Sequence, residues 1–172
     1  ELCWSPDGTW LAFTAPSPDG DSLGLYLYHR RDRRLTCIAS VLPCRLFWTL
    51  KGRALIAVGF DGYGALRHDV ATGTTRPLRV PEGLTPLAPS PSSDDMLYMA
   101  DLAPGDLTVG ETGGNRLRVF AHGHLPAWSP NGEWVAFFDS SDVEGSLCTQ
   151  SRNGANFTRW AASHYGEYGI RV

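Results

Sequence analysis

Short apolar runs of strand length, separated by polar turn-forming stretches, fill the chain from end to end. ALIAV (54–58) and LGLYLY (23–28) are typical: five or six residues, rich in aliphatic and aromatic side chains, set between Gly, Pro, Asp or Ser. Runs of this length and boundary predict β-strands, and helical periodicity is nearly absent. Two of the polar turns are nearly the same word, WSPDG at 4–8 and WSPNG at 128–132. Proline fixes one dihedral, Asp or Asn caps the bend, and Gly takes a positive φ, so each predicts a tight turn between two strands.

The turn belongs to a longer repeat. CWSPDGTWLAFTA (3–15) and AWSPNGEWVAFFD (127–139) share one frame, and FWTLKGRALIAVG (47–59) and APSPSSDDMLYMA (88–100) fit it, the last with Pro89 in place of tryptophan. The anchors Trp4, Trp48, Pro89 and Trp128 lie 44, 41 and 39 residues apart, near the roughly 40–45 residues of one propeller blade. Each unit continues with a loop, a third strand (23–28, 65–70, 107–112, 146–151), a turn, and a fourth (34–39, 76–80, 116–120, 157–161). The fold expected is all-β: four blades of four antiparallel strands at about 1–39, 40–80, 81–120 and 121–172. Trp4, Trp48 and Trp128 are expected to be buried at equivalent places, with Trp10, Trp134, Phe13 and Phe137 packing blade against blade.

The pattern x-W-S-P-D/N-G-x-W-[LV]-A-F, followed by a strand and an R-x-L-T-like close, resembles the TolB-type, WD-repeat-like β-propeller family. The resemblance covers essentially the whole chain, best in the first and fourth units and least in the third. It implies rings of six to eight blades, so four units predict part of a larger propeller, the alternative being an unusual four-bladed one. A chain that starts inside a strand and stops without a closing strand fits that expectation. Leu11, Phe13, Val135 and Phe137 are then candidates for exposure at the two ends, and association with the rest of a propeller or with itself is expected. The tail FTRWAASHYGEYGIRV (157–172) also resembles a helix-to-strand stretch of short-chain dehydrogenases, but the Tyr-x-x-x-Lys those enzymes need is missing.

Composition narrows the function. A net charge of −3 and a pI near 5.9 give no overall field to capture nucleic acid, so no nucleic-acid partner is expected. No run approaches the roughly 18 apolar residues of a membrane span. Cys3, Cys37, Cys44 and Cys148 form no C-x-x-C pair, and read as partly buried thiols, a Cys37–Cys44 disulfide being possible in an oxidising compartment. There is no G-x-S-x-G elbow, P-loop or H-E-x-x-H, so no catalytic residue and no cofactor is assigned. His122 and His124, one residue apart, would face one side of a strand, where a weak metal site is conceivable, yet no third ligand can be named.

Charge placement says more. The loops between the second and third strands of the units hold Asp19, Asp21, Asp61, Asp101, Asp106, Asp139, Asp142 and Glu144, and no Lys or Arg. Arginines gather instead in the third turns and fourth strands, among them Arg30, Arg31, Arg33, Arg34, Arg76, Arg118, Arg152 and Arg159. An acidic loop face opposes a basic outer edge. Asp19, Asp21, Asp61, Asp139, Asp142 and Glu144 are the candidate binding residues, for a basic partner or, at 19–21 and 139–144, a hard cation. The function expected is a non-catalytic interaction module for protein or peptide. The alternative is the substrate-gating propeller of a prolyl-oligopeptidase-type peptidase, its hydrolase domain lying outside this chain. For a bacterial protein, both periplasm and cytoplasm fit.

Overall fold

The computed structural model describes every residue except 19, 21, 43, 60–63, 102–104, 113, 142–144 and 163–172. Among the described residues, fifteen strands form antiparallel meanders, each strand beside its neighbour in sequence. The first sheet is β1 (Leu2–Trp4), β2 (Trp10–Pro16), β3 (Leu23–His29) and β4 (Arg34–Val41). The second is β5 (Cys44–Thr49), β6 (Ala54–Gly59), β7 (Ala65–Asp69) and β8 (Thr74–Pro77), whose last strand starts earlier than the expected 76–80. The third and fourth meanders are joined: β9 (Leu84–Pro89), β10 (Asp95–Ala100), β11 (Asp106–Glu111), β12 (Arg118–Trp128), β13 (Trp134–Asp139), β14 (Ser146–Ser151) and β15 (Phe157–Ala162) make one seven-stranded sheet.

The join is β12, where two short strands were expected. Its first part pairs with β11 as far as His122 opposite Asp106, and from Gly123 opposite Asp139 it pairs with β13. One strand is therefore the outermost of the third blade and the innermost of the fourth. At the other end, residues 157–162 form β15 on β14, so that part of the tail is a strand and not a helix; residues 163–172 lie outside the described residues.

The hydrophobic core lies between sheets. Ala12, Leu25 and Leu27 of the first meet Leu46, Trp48, Leu55 and Ala57 of the second. Ile56, Val58 and Ala65 of the second meet Met96 and Tyr98 of the third. Leu97, Leu107, Val109 and Phe120 of the third meet Val135, Phe137 and Cys148 of the fourth. Side chains alternate across a strand, so consecutive residues of β6, Leu55 and Ile56, enter different cores. That is why the β6 sequence is an unbroken apolar run: both of its faces are covered. The chain is thus an arc of four β-propeller blades of four antiparallel strands each.

Two indoles bridge successive blades in the same way. Trp48 Nε1 donates to the Cys3 carbonyl at 3.2 Å, and Trp128 Nε1 donates to the Ala88 carbonyl at 3.1 Å. Cys3 and Ala88 hold the same repeat position, just ahead of the anchor. Trp4 corrects the expectation of three equivalent buried tryptophans: it is 51% exposed where Trp48 is 8%, because no described residue stands in front of the first blade. Val135 and Phe137 correct another, being buried against the third blade rather than exposed; their counterparts Leu11 and Phe13 are only partly covered. Between the second and third blades, where Pro89 replaces the tryptophan, the links run forward instead. The Thr49 hydroxyl donates to the Ser90 carbonyl, and the Lys51 amide to the Pro91 carbonyl at 2.9 Å.

The turns have the predicted chemistry. Ser5 Oγ accepts from the Trp10 amide at 2.9 Å and donates to Asp7 Oδ1 at 2.6 Å, and Gly8 sits at φ 66°. Ser129, Asn131, Gly132 and Trp134 repeat the arrangement. So do Ser151, Asn153, Gly154 and Asn156, in the expected turn between the third and fourth strands of the last unit. The Ser5 hydroxyl, then the Thr9 amide and hydroxyl, hold the Asp7 carboxyl at about 2, below its ordinary 3.8.

Two outcomes are expected. Trp48→Ala should cost about 3–5 kcal/mol in urea unfolding, and Trp4→Ala less than about 1 kcal/mol; equal costs would contradict the assignment of covered and uncovered ends. Because the folded Asp7 carboxyl has the lower pKa, its stabilisation is present above the unfolded value and lost as pH falls from about 4 to about 2. Asp7→Asn, which copies Asn131, should lack that component, so the melting-temperature gap between the two proteins should change across this window and stay constant above pH 5.

Candidate binding face

In each meander the loop after the second strand and the exit from the fourth lie at one end of the sheet, so four blades gather these segments on one face. Of the candidate binding residues, Asp139 is described; Asp19, Asp21, Asp61, Asp142 and Glu144 lie outside the described residues. Asp139 closes β13 and is buried. It accepts from the Ser141 amide at 2.8 Å and from Arg159 of β15 at 2.5 Å. The Ser141 contacts, with the Arg159 charge added, hold its carboxyl below the usual range against the opposing effect of burial. This acid is already committed to an arginine of the outermost strand, twenty residues away.

The other described acids of the face are also engaged. Asp101 accepts from the Thr85 hydroxyl at 2.7 Å. Asp106 lies 2.9 Å from His122 Nδ1. His124 Nδ1 is 3.0 Å from Ser140 Oγ, with its ring stacked on Phe138 at a centroid distance of 5.8 Å. The two histidines therefore do not share a ligand position: β12 passes from the third blade to the fourth at Gly123, so His122 is taken by β11 and His124 by the end of β13. Among the described residues, no group of three or more His, Cys, Asp or Glu is placed to hold a metal ion.

Beside the acidic loops is an apolar opening. Val41, Leu42, Cys44, Ala57, Leu66 and Leu78 line much of a cleft of about 380 Å³ between the first two blades. It opens at the ends of β4, β6 and β8 and the starts of β5 and β7, hence on the loop face. Sequence patterning missed it because each lining residue reads as ordinary strand core. The cysteines are free: Cys37 is exposed while Cys44 is buried, so the possible disulfide between them is not formed. Burial first, then the Glu1 charge, push the Cys3 thiol up to about 11, and burial raises Cys44 as well, leaving both as packing groups.

The opposite end and the outer strands carry the arginines. Arg30, Arg31 and Arg33 of the β3–β4 turn and Arg34 at the start of β4 are all exposed, as are Arg76, Arg79, Arg116 and Arg118. Some are paired locally, Arg116 with Glu111 at 3.3 Å and Arg152 with Asp95 at 3.5 Å.

No protein-family model matches the chain, and no curated protein does. Solved structures do. TolB from Acinetobacter baumannii superposes with a TM-score of 0.60 at 21% identity, over 89% of this chain and 40% of that one. The β-propeller domain of the Trilobed protease from Pyrococcus furiosus gives 0.68 at 15% identity, over 92% of this chain and 56% of that one. An oligogalacturonate lyase in complex with manganese gives 0.66 at 18%, over 92% and 51%. The fold is that of the TolB-like β-propellers, and the chain spans about half the length of these structures. No helix among the described residues is long and apolar enough to cross a membrane.

Gly123 is the expected weak point of the face. A Cβ there would lie 2.4 Å from the Phe138 carbonyl oxygen, whereas one at Gly64 meets nothing within 4 Å. Gly123→Ala should cost about 1–3 kcal/mol in chemical unfolding through forced backbone displacement, and Gly64→Ala less than about 0.5 kcal/mol.

Proposed function

We propose that this chain, with blades at about 1–39, 40–80, 81–120 and 121–172, is a non-catalytic propeller module. Its loop face binds a protein or peptide segment that is basic with an apolar anchor. The observation that carries the reading is the charge partition: eight acids and no Lys or Arg in the four loops of one face. Asp19, Asp21, Asp61, Asp142 and Glu144 supply the field that draws a basic segment in, and Asp139, held by Arg159, stands at the base of the loop that carries Asp142 and Glu144. The cleft between the first two blades receives the apolar side chain, since a small apolar recess flanked by charge gives both burial and orientation. The likeness to the propeller domain of the Trilobed protease supports a second reading, in which the same face meets peptide substrates on their way to a hydrolase domain.

An octalysine peptide with one central leucine is the probe. It should bind in calorimetry with an affinity that falls as salt is raised. Neutralising the five loop acids (Asp→Asn, Glu→Gln) should weaken binding about tenfold or more, a loss of about 1.4 kcal/mol. The double variant Asp7→Asn with Asp32→Asn, at the opposite end of the sheets, should leave it unchanged. Equal binding of a polyglutamate peptide, or no effect of the five neutralisations, refutes the reading.

A further inference from the structure

Arginines crowd one hairpin tip on the face opposite the acidic loops. The β3–β4 turn reads His29, Arg30, Arg31, Asp32, Arg33, Arg34, and its arginines are all exposed. The second blade shows that this exposure belongs to the turn itself. Asp69 pairs with Thr74 there as His29 pairs with Arg34 in the first blade, so Ala71, Gly73 and Thr74 correspond to Arg31, Arg33 and Arg34. These three are exposed although a blade packs on each side of theirs. The charge of the tip is also unanswered from within. Asp32, the one acid of the turn, lies 2.8 Å from His29 Nδ1. Among the described residues no acid pairs with Arg30, Arg31, Arg33 or Arg34, whereas Arg67, Arg116, Arg152 and Arg159 each have one.

The backbone adds an independent observation. Arg33 sits in the left-handed region at φ 54°, where the second blade has Gly73 at φ 68°. A Cβ is disfavoured in that region and glycine is not, so an arginine is kept at a position whose geometry asks for glycine. The other left-handed arginine among the described residues is Arg116, at φ 53°, and its guanidinium meets Glu111 of its own hairpin at 3.3 Å. Arg33 has no such partner, and strain of this kind gathers where a side chain is needed for contact.

Like charges held on one tip repel, and the anion that relieves this best is compact, more than singly charged and rich in acceptors. A carboxylate has a single charge and fits a single guanidinium fork. A phosphate monoester carries about two charges and three acceptor oxygens, so it takes several forks at once. The surroundings decide what bears it. Asp7, Asp94 and Glu133 are exposed on other turns of that face, so a nucleic acid or an anionic bilayer laid across it would meet repulsion as well as the arginines. A single phosphate on a peptide meets the tip alone. We propose that the β3–β4 turn is a docking site for a phosphorylated serine or threonine of a partner protein, its phosphate oxygens accepting from Arg31, Arg33 and Arg34.

Fluorescence anisotropy of a labelled Gly-Ser peptide bearing one phosphoserine, titrated with the whole chain, tests this. Saturable binding is expected, weaker as salt rises and about tenfold or more tighter than for the same peptide with glutamate in that place. Arg31→Ala and Arg34→Ala should each raise the dissociation constant about threefold or more. Arg33→Gly, which copies Gly73, should weaken binding to the same extent yet melt no lower than the parent chain, because it takes a Cβ out of a left-handed position. Asp32→Asn should tighten binding by removing a repelling charge, and Arg116→Ala should leave it unchanged. A glutamate peptide that binds as well overturns the proposal. So does tighter binding of single-stranded DNA, or of phosphatidylcholine vesicles containing phosphatidate, than of the phosphopeptide. Arg31 and Arg33 variants that bind like the parent chain overturn it too.

Discussion

The structure depends on one constraint: a blade of this sequence is apolar on both faces and cannot be satisfied alone. In β6, Leu55 and Ala57 point one way and Ile56 and Val58 the other, and all four are buried only because a sheet lies on each side. Packing of sheet against sheet therefore decides everything above the single hairpin. The anchor tryptophans add a polar term to it. A buried indole N–H without an acceptor is costly, and the innermost strand of the preceding blade supplies a carbonyl at the one place the ring can reach. This couples neighbouring blades in register, so a blade displaced along its neighbour loses a hydrogen bond as well as contact.

Most of the architecture could be read from the residues because its determinants are local. The Ser-x-Asp/Asn-Gly turn is specified by a hydroxyl, a short acid or amide and a glycine within four positions, and the strand lengths follow from where these turns fall. What was not legible is relational. Period-two alternation shows that a strand has two faces, but when both are apolar it does not show which has a neighbour. That is why Val135 and Phe137 were placed at the open end and Trp4 in the core, the reverse of what the fold does. The joining of two expected strands into β12 is of the same kind: it rests on Gly123 letting the chain pass close to the Phe138 carbonyl, a contact no local pattern encodes.

The binding face divides in the same way. The charge partition needs only the sequence and a topology that puts alternate connections at opposite ends of each sheet. The pairing of Asp139 with Arg159 does not follow from it, because it joins the second and outermost strands of one blade across twenty residues. Nor does the separation of His122 from His124, which depends on their strand changing partners between them. Both show the same physical rule: an ionisable side chain at a strand end is claimed by whichever neighbour the sheet brings to it, and spacing in the chain is a poor guide to that neighbour.

With the faces between successive blades committed to packing, recognition is left to the ends of the strands and the outer edges. The two are not equivalent. The outermost strands β4, β8, β15 and the first half of β12 each present unpaired backbone groups, which invite pairing with another chain. Each of them carries an exposed arginine, Arg34, Arg76, Arg159 and Arg118 respectively. Placed there, like charges on approaching edges repel, and a long guanidinium side chain obstructs the ladder. The outer rim is thus guarded against edge pairing. Sheet extension is thereby opposed, and stacking of blade on blade is the contact that this repeat is built to make.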